Sequence, residues 1–318
     1  MEKKKGAFRT SIGGQALIEG ILMRGPEKDA IVVRSPEGLV TKVTQRKFVK
    51  ANYPILGVPI LRGAVTFIGS MITGVKALMF SADYFPEDEN AKPDKLEEWL
   101  NKHVPAEKLQ SLLVGFSVVL SIGLMLVLFM LLPTFLAGLF HATTPALHNL
   151  IEGVVKILVL LAYMILCSRQ KDVYRVFCYH GAEHKTIFCY EAGLPLTVEN
   201  VRIQRRFHPR CGTSFLILMV LVSILVGFFI PPTLYAGNRI VNTLLYSGIR
   251  ILLVPVIVGL GYELIKFCGR HDNWLTRIIA APGLALQHIT VFEPDDSMIE
   301  CAIAAVREVI PEDGSDAW

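Results

Sequence analysis

Two histidines four residues apart, with a glutamate between them, stand out in the stretch Tyr179-His180-Gly181-Ala182-Glu183-His184-Lys185-Thr186. On a helix, positions i and i+4 share a face one turn apart, and Glu183 falls near that face. This is the His-x-x-Glu-His arrangement of inverted zinc-hydrolase motifs, in which two imidazoles ligate and a carboxylate acts on a bound water. Twenty-four residues after His184 comes His208-Pro209-Arg210-Cys211-Gly212-Thr213-Ser214, which adds an imidazole and a thiol. Together the two stretches predict a divalent-metal site. Zinc comes first because it favours His, Cys and carboxylate ligands. His180 and His184 are the first two ligands. The third is His208, Cys211 or a distant acid, and spacing does not choose among them. Glu183 is the expected catalytic base. If His208 and Cys211 both bind, the site closes and is structural.

Each of these residues also has a plainer use. The histidines can be polar contacts at a membrane-proximal helix surface, and Glu183 can pair with Lys185 or Arg206. Cys211, beside Arg210 and near His208, also fits a low-pKa nucleophile. Gly181 weakens a helix by roughly 1 kcal/mol against alanine. Arg202, Arg205, Arg206 and Arg210 surround the second stretch and suit bidentate phosphate recognition, either of a lipid-linked substrate or of bulk anionic lipid. Gln15, Glu19 and Arg24 are the polar side chains of an apolar, glycine-rich N-terminal stretch. They can line the same pocket or form the solvent side of a strand. Glu263 sits at lipid depth and is a functional candidate, with Arg270 or Lys266 as alternative partners.

The elements that position these residues follow from composition. The chain has 318 residues, of which 52% are hydrophobic, with mean hydropathy +0.47, so membrane spans are expected. The formal charge of +4 is modest and argues against a nucleic-acid partner. Six scattered cysteines form no Cys-x-x-Cys pair, which points to reduced thiols, not a disulfide framework. Met1 to Lys5 are not followed by an apolar run, so no cleavable export signal is expected.

Residues 1–54 read as a β-rich cytoplasmic segment, with a hairpin at Ala30–Arg34 and Leu39–Val43 around a four-residue loop, Ser35-Pro36-Glu37-Gly38. Residues 55–110 hold a glycine-broken apolar helix, membrane-associated or core-packed, and a polar linker. Two pairs of spans follow, in 111–167 and 213–267, at about 111–140, 150–167, 213–230 and 240–267. The first has a kink point at Pro133. Arg250 interrupts the last, so it should face protein or water. Between the pairs, 168–212 carries eight basic residues, against none in 141–149 and one in 231–239. The positive-inside rule therefore puts that loop and both termini in the cytoplasm. In 268–318, Leu286–Phe292 is expected to be a strand, and Pro294-Asp295 a helix start before Met298–Ile310.

Four stretches together resemble a family: Ser11–Pro26 (SIGGQALIEGILMRGP), Tyr179–Thr186 (YHGAEHKT), His208–Phe215 (HPRCGTSF) and Gln287–Asp295 (QHITVFEPD). The chain is similar over nearly its whole length to the bacterial YqhQ family, a domain-of-unknown-function family described as predicted metal-dependent enzymes. The resemblance implies a bacterial multi-pass membrane protein with a metal site at His180, Glu183, His184, His208 and Cys211, and it implies no substrate.

The expectation is an α+β integral membrane protein of the plasma (inner) membrane, with about four transmembrane helices and a cytoplasmic β-containing domain. Its expected activity is metal-dependent hydrolysis of a lipid-linked or membrane-proximal substrate. The alternative is a non-catalytic scaffold or anionic-lipid binder with a structural metal or none. A transporter ranks third, since repeated halves with broken helices are not seen. Membrane lipids are the expected partners, and the sequence sets no oligomeric state.

Overall fold

The computed structural model describes residues 8–46, 54–84, 106–140, 144–231, 233–271 and 273–317. Most of the polar linker expected before residue 110, and the N-terminal lysines, lie outside them. The chain is mostly helical with one small antiparallel sheet. It divides into two compact units, one of Met1–Phe85, Leu161–Val226 and Leu252–Trp318, the other of Pro86–Leu160 and Gly227–Ile251.

The first unit holds the sheet. Strands β1 (Gly13–Leu17), β2 (Gly20–Arg24), β3 (Lys28–Ser35) and β4 (Gly38–Gln45) run in sequence order. Ser35 pairs with Gly38, so the expected four-residue loop closes to two, Pro36-Glu37. Gly38, at φ 131°, takes a conformation that side-chain-bearing residues avoid. Strand β2 is apolar on both faces, as is the middle of β3, because both faces are covered. Ile21, Met23, Ala30 and Val32 pack on helices α5 (Lys171–Glu191) and α10 (Asp296–Val309). Leu22, Ile31 and Val33 pack on Ala77 of helix α1 (Leu61–Ala82).

Helix α1 is thus anchored on the sheet by its second half, where the Ser81 hydroxyl donates to Ile18 O. Nearer its start, Arg62 makes a bidentate ion pair with Glu263. That replaces the expected Glu263 partners, Arg270 or Lys266, because α1 runs alongside the helix that carries Glu263.

Helices α2 (Ala106–Leu126) and α3 (Leu132–Leu139) are joined by a π-helical turn at Val127–Leu131. The wide turn lies just before Pro133, whose missing N–H and bulky ring disturb the ladder behind it. Helices α4 (Pro145–Ser168), α6 (Val198–Arg202), α7 (Gly212–Gly227), α8 (Arg239–Arg270) and α9 (Trp274–Thr290) complete the fold. Among the described residues, four helices are long and apolar enough to cross a membrane: Leu61–Ala82, Gly115–Leu139, Pro145–Ser168 and Ile240–Arg270. The expected span at 213–230 is instead the 16-residue α7, about 24 Å long at 1.5 Å per residue, against roughly 30 Å of hydrocarbon. The sequence Pro231-Pro232 keeps a helix from continuing there.

The expected strand at Leu286–Phe292 is also corrected. Residues 286–290 are the last turn of α9, and only Val291–Asp295 is extended. A capping box at Asn273 and Thr276 starts this helix, and the Thr290 hydroxyl bonds back to Leu286 O at 3.3 Å, so the β-branched run Ile289-Thr290-Val291 is accommodated at the helix end. Asp295 caps α10 as expected, accepting from Met298 N at 2.9 Å.

In the second unit, Arg250 is buried, as expected of a charge in an apolar helix. Its partner is Glu152, and Glu152 and Lys156 are two further charges inside the expected span 150–167. Glu152 is 1% exposed, pairs with Arg250 and Lys156 and accepts from Thr134 Oγ1 at 3.0 Å.

Candidate metal centre

Helix α5 presents the His-x-x-Glu-His motif, and it is buried on nearly all sides from Cys178 to Cys189. Such depth is costly for so polar a segment unless each polar group is partnered. Most are. Lys185 donates to Arg202 O at 2.9 Å and pairs with Glu293, while Thr186 bonds Ala182 O. Tyr179 donates to Glu19 at 3.2 Å.

The two histidines are oriented alike. His180 Nδ1 lies 3.0 Å from Thr290 O, and His184 Nδ1 lies 2.6 Å from Arg206 O. A carbonyl only accepts, so each Nδ1 carries a hydrogen, which leaves Nε2 as the ring atom placed to ligate. Backbone carbonyls set ligating histidines in this way. His180 Nε2 is 3.0 Å from Cys211 Sγ, and the rings of His180 and His184 are 4.4 Å apart. One donor atom from each of His180, His184 and Cys211 lies within 4.8 Å of the others, so these three could hold a metal ion. His184 Nε2 is buried without a hydrogen-bond partner among the described residues.

Glu183 turns toward the sheet. Its Oε1 accepts from Gly14 N at 2.9 Å, while Oε2 is buried without a hydrogen-bond partner among the described residues. Neither Lys185 nor Arg206 is its partner, since Glu293 takes both. Burial pushes the Glu183 carboxyl above the ordinary glutamate range, against the pull of His180 and the Gly14 amide. Gly14 must be glycine for this approach: a Cβ there would stand 2.7 Å from Leu22 O and 3.0 Å from Glu183 Cδ. Gly181 is explained in the same way. A Cβ on it would meet Phe292 O at 2.0 Å, so the helix gives up stability to let the extended segment pass.

His208 stands behind the cluster. Its ring is 5.5 Å from that of His184, and Arg210 N approaches its Nδ1 at 3.3 Å. Burial holds its pKa down at about 4, so the ring is neutral at physiological pH. The loop that carries it is clamped by Gln287, a fully buried side chain. Gln287 accepts from His208 N at 2.8 Å, donates to His208 O at 2.7 Å and reaches Ser214 Oγ at 3.0 Å. Sequence reasoning assigned Gln287 no role. Its only signal was its place at the head of a family motif.

A cavity of about 470 Å³ opens beside the cluster, lined by Glu183, His184, His208, Arg210 and Cys211 on one side. Gln15 and Arg24 line it as anticipated, and Arg46, unanticipated, joins them. Glu19, Arg205 and Arg206 are absent from its lining. Glu19 turns to Arg175 and Tyr179, Arg205 stacks over Phe188, and Arg206 pairs with Glu293.

The sequence profile of a family described as "Protein of unknown function (DUF1385)" matches residues 58–312. The chain is 33% identical over 313 residues to the uncharacterized protein YqhQ of Bacillus subtilis (strain 168), covering 94% of this chain and 92% of that protein. The chain belongs to the YqhQ family. No solved structure matches it. The YqhQ-type motifs thus meet in space: the helix of the second, the loop of the third, the Gly14 strand of the first and the Gln287 clamp of the fourth surround one cluster.

Proposed function

We propose that this YqhQ-family chain is a multi-pass plasma-membrane protein with a metal-dependent hydrolytic site, in which His180, His184 and Cys211 hold a divalent ion, zinc first. One observation carries the reading. Two buried polar atoms on one helical turn, His184 Nε2 and Glu183 Oε2, lack hydrogen-bond partners among the described residues. Each orphan costs about 1–3 kcal/mol, and a cation coordinated by the first and hydrated beside the second answers for both. Zinc supplies Lewis acidity and makes water acidic enough to ionise near neutral pH. With Oε1 held by Gly14 N, Glu183 Oε2 would be the oxygen available to accept a proton from a water held there. His208 would support the site from behind, outside the ligand set.

Four helices of membrane-crossing length and composition support the membrane placement. The basic stretch 168–212 favours a cytoplasmic site with both termini on the same side. The substrate would then be lipid-linked or membrane-proximal. A non-catalytic role is the second reading, and the 3.0 Å contact of His180 with Cys211 favours it, because those two groups satisfy each other without an ion.

Metal content by mass spectrometry, measured on the wild type and on a His180→Ala/His184→Ala variant, tests whether the site holds an ion, and turnover in Glu183→Gln separates a catalytic from a structural one. About one ion per chain, lost in the variant, is the expected result. A metal-free wild type would overturn the proposal. Glu183→Gln should keep the ion and lose turnover by about 10²- to 10⁴-fold.

A further inference from the structure

The cavity beside the cluster has a charged wall that the metal reading leaves unused. Arg24 Nε and Arg46 Nε converge on a single oxygen, Oδ1 of Asp29, at 3.3 and 3.5 Å. Both arginines line the cavity, and both side chains are roughly three-quarters buried. Arg24 is further tied to helix α1 by a 2.8 Å hydrogen bond from Nη1 to Ser70 Oγ, and Arg46 donates to Gly25 O. The pair is therefore held in place, not solvated at random. Burial and the neighbouring Arg24 keep Arg46 below the ordinary arginine pKa, the mark of crowded like charge. Arg210, the third arginine of the cavity, is already neutralised by Glu191.

The remaining wall differs. Phe67 and Phe215, with ring centroids 5.8 Å apart, line it together with Ile265. A volume of about 470 Å³ falls in the usual range for small-molecule sites, roughly 300–1,000 Å³.

We infer that Arg24 and Arg46 form the anion-recognition subsite of this cavity, and that the group they hold is a phosphate monoester presented toward His184 and Glu183. This rests on the hydrolytic reading for its purpose but not for its test. Guanidinium pairs match phosphate oxygens in geometry and charge. The phosphate is carried either by a lipid whose chains lie along the phenylalanine wall or by a small soluble molecule. Of the arginines expected at an anion site, Arg24 is kept and joined by Arg46, while Arg205 and Arg206 face Phe188 and Glu293.

Calorimetric titration of the full chain in phosphatidylcholine nanodiscs, stripped of metal by chelation, tests the subsite without the metal. The titrants are short-chain phosphatidic acid, glycerol 3-phosphate and short-chain diacylglycerol. Binding of either phosphate with none of the neutral diacylglycerol supports the inference. Preference for phosphatidic acid identifies a lipid source, and equal binding a soluble one. Arg46→Gln should weaken binding about tenfold, the loss of one charge-assisted hydrogen bond. Asp29→Asn should tighten it, a change of opposite sign that misfolding does not produce. No phosphate binding, or unchanged affinity in both variants, overturns the inference. Metal content on the same preparation reports separately on the hydrolytic reading.

Discussion

His180 and His184 are defined less by their spacing than by what holds their far nitrogens. Thr290 O and Arg206 O come from two different segments, and together they turn both Nε2 atoms inward. Gln287 works one layer out by fixing the backbone of His208. Gln287→Leu leaves the His208 N–H and C=O buried and unpaired, at about 1–3 kcal/mol for each group. A lowered melting temperature and a metal affinity reduced by about 10- to 100-fold are expected, read by thermal unfolding and competitive chelation. Cys301 is a different kind of thiol, fully buried between α10 and β3, with Sγ 3.3 Å from Val32 O. Burial pushes its pKa up to about 12 from 9.0. A pKa raised in the folded state means that the native protein holds the proton more tightly. The stability is therefore fully present below pH 9 and is lost as pH climbs toward 12. Across that window Cys301→Ala should flatten the fall of stability with pH, by up to about 4 kcal/mol, as measured by denaturant melts at stepped pH.

At the scale of elements, helix α5 is unusual in burying a polar segment, and it manages this by close approach to neighbouring backbone. Gly181 admits the Val291–Asp295 segment, and Gly14 admits Glu183. Gly181→Ala should destabilise by roughly 1–3 kcal/mol through overpacking despite alanine's better helix propensity, and a melting curve shows which effect wins. With Phe292 O only 2.0 Å from the new methyl, clash outweighs propensity. Helix α1 is two-sided. Gly74 and Ala77 face the sheet, while Ile68, Met71, Ile72, Val75 and Met79 form an exposed apolar stripe at helical spacing. That stripe leaves one side of α1 apolar and uncovered while the other side packs on the sheet.

Across the whole molecule, charge is buried in two places for different ends. In the first unit it surrounds a cavity. In the second, Glu152, Lys156 and Arg250 are enclosed within apolar helices, and Tyr246 bonds Asn149 Oδ1 at 2.9 Å. One carboxylate there serves two cations, so Glu152→Gln leaves both underpaired. Breaking a buried pair from one side costs about 3–5 kcal/mol, and a collapse in detergent-extracted yield and melting temperature is expected. Glu152→Gln/Arg250→Met should recover part of the loss, because the uncompensated guanidinium is gone.

The sequence by itself determined the family, the N-terminal hairpin, the Asp295-capped helix and three of the four long apolar helices, because each is written in local periodicity, capping chemistry or a contiguous motif. It also named His180, Glu183, His184 and Cys211. Only the tertiary structure decided their arrangement. It put Cys211 beside His180 and His208 behind, paired Glu183 with Gly14, kept Arg24 and Arg210 at the cavity, left Arg205 and Arg206 out of it and added Arg46. It matched Arg62 with Glu263 and Arg250 with Glu152, and made a helix end of the expected strand at Leu286–Phe292. All of these depend on contacts between residues far apart in the chain. Such contacts are set by which faces pack together, and spacing along one segment carries no record of them.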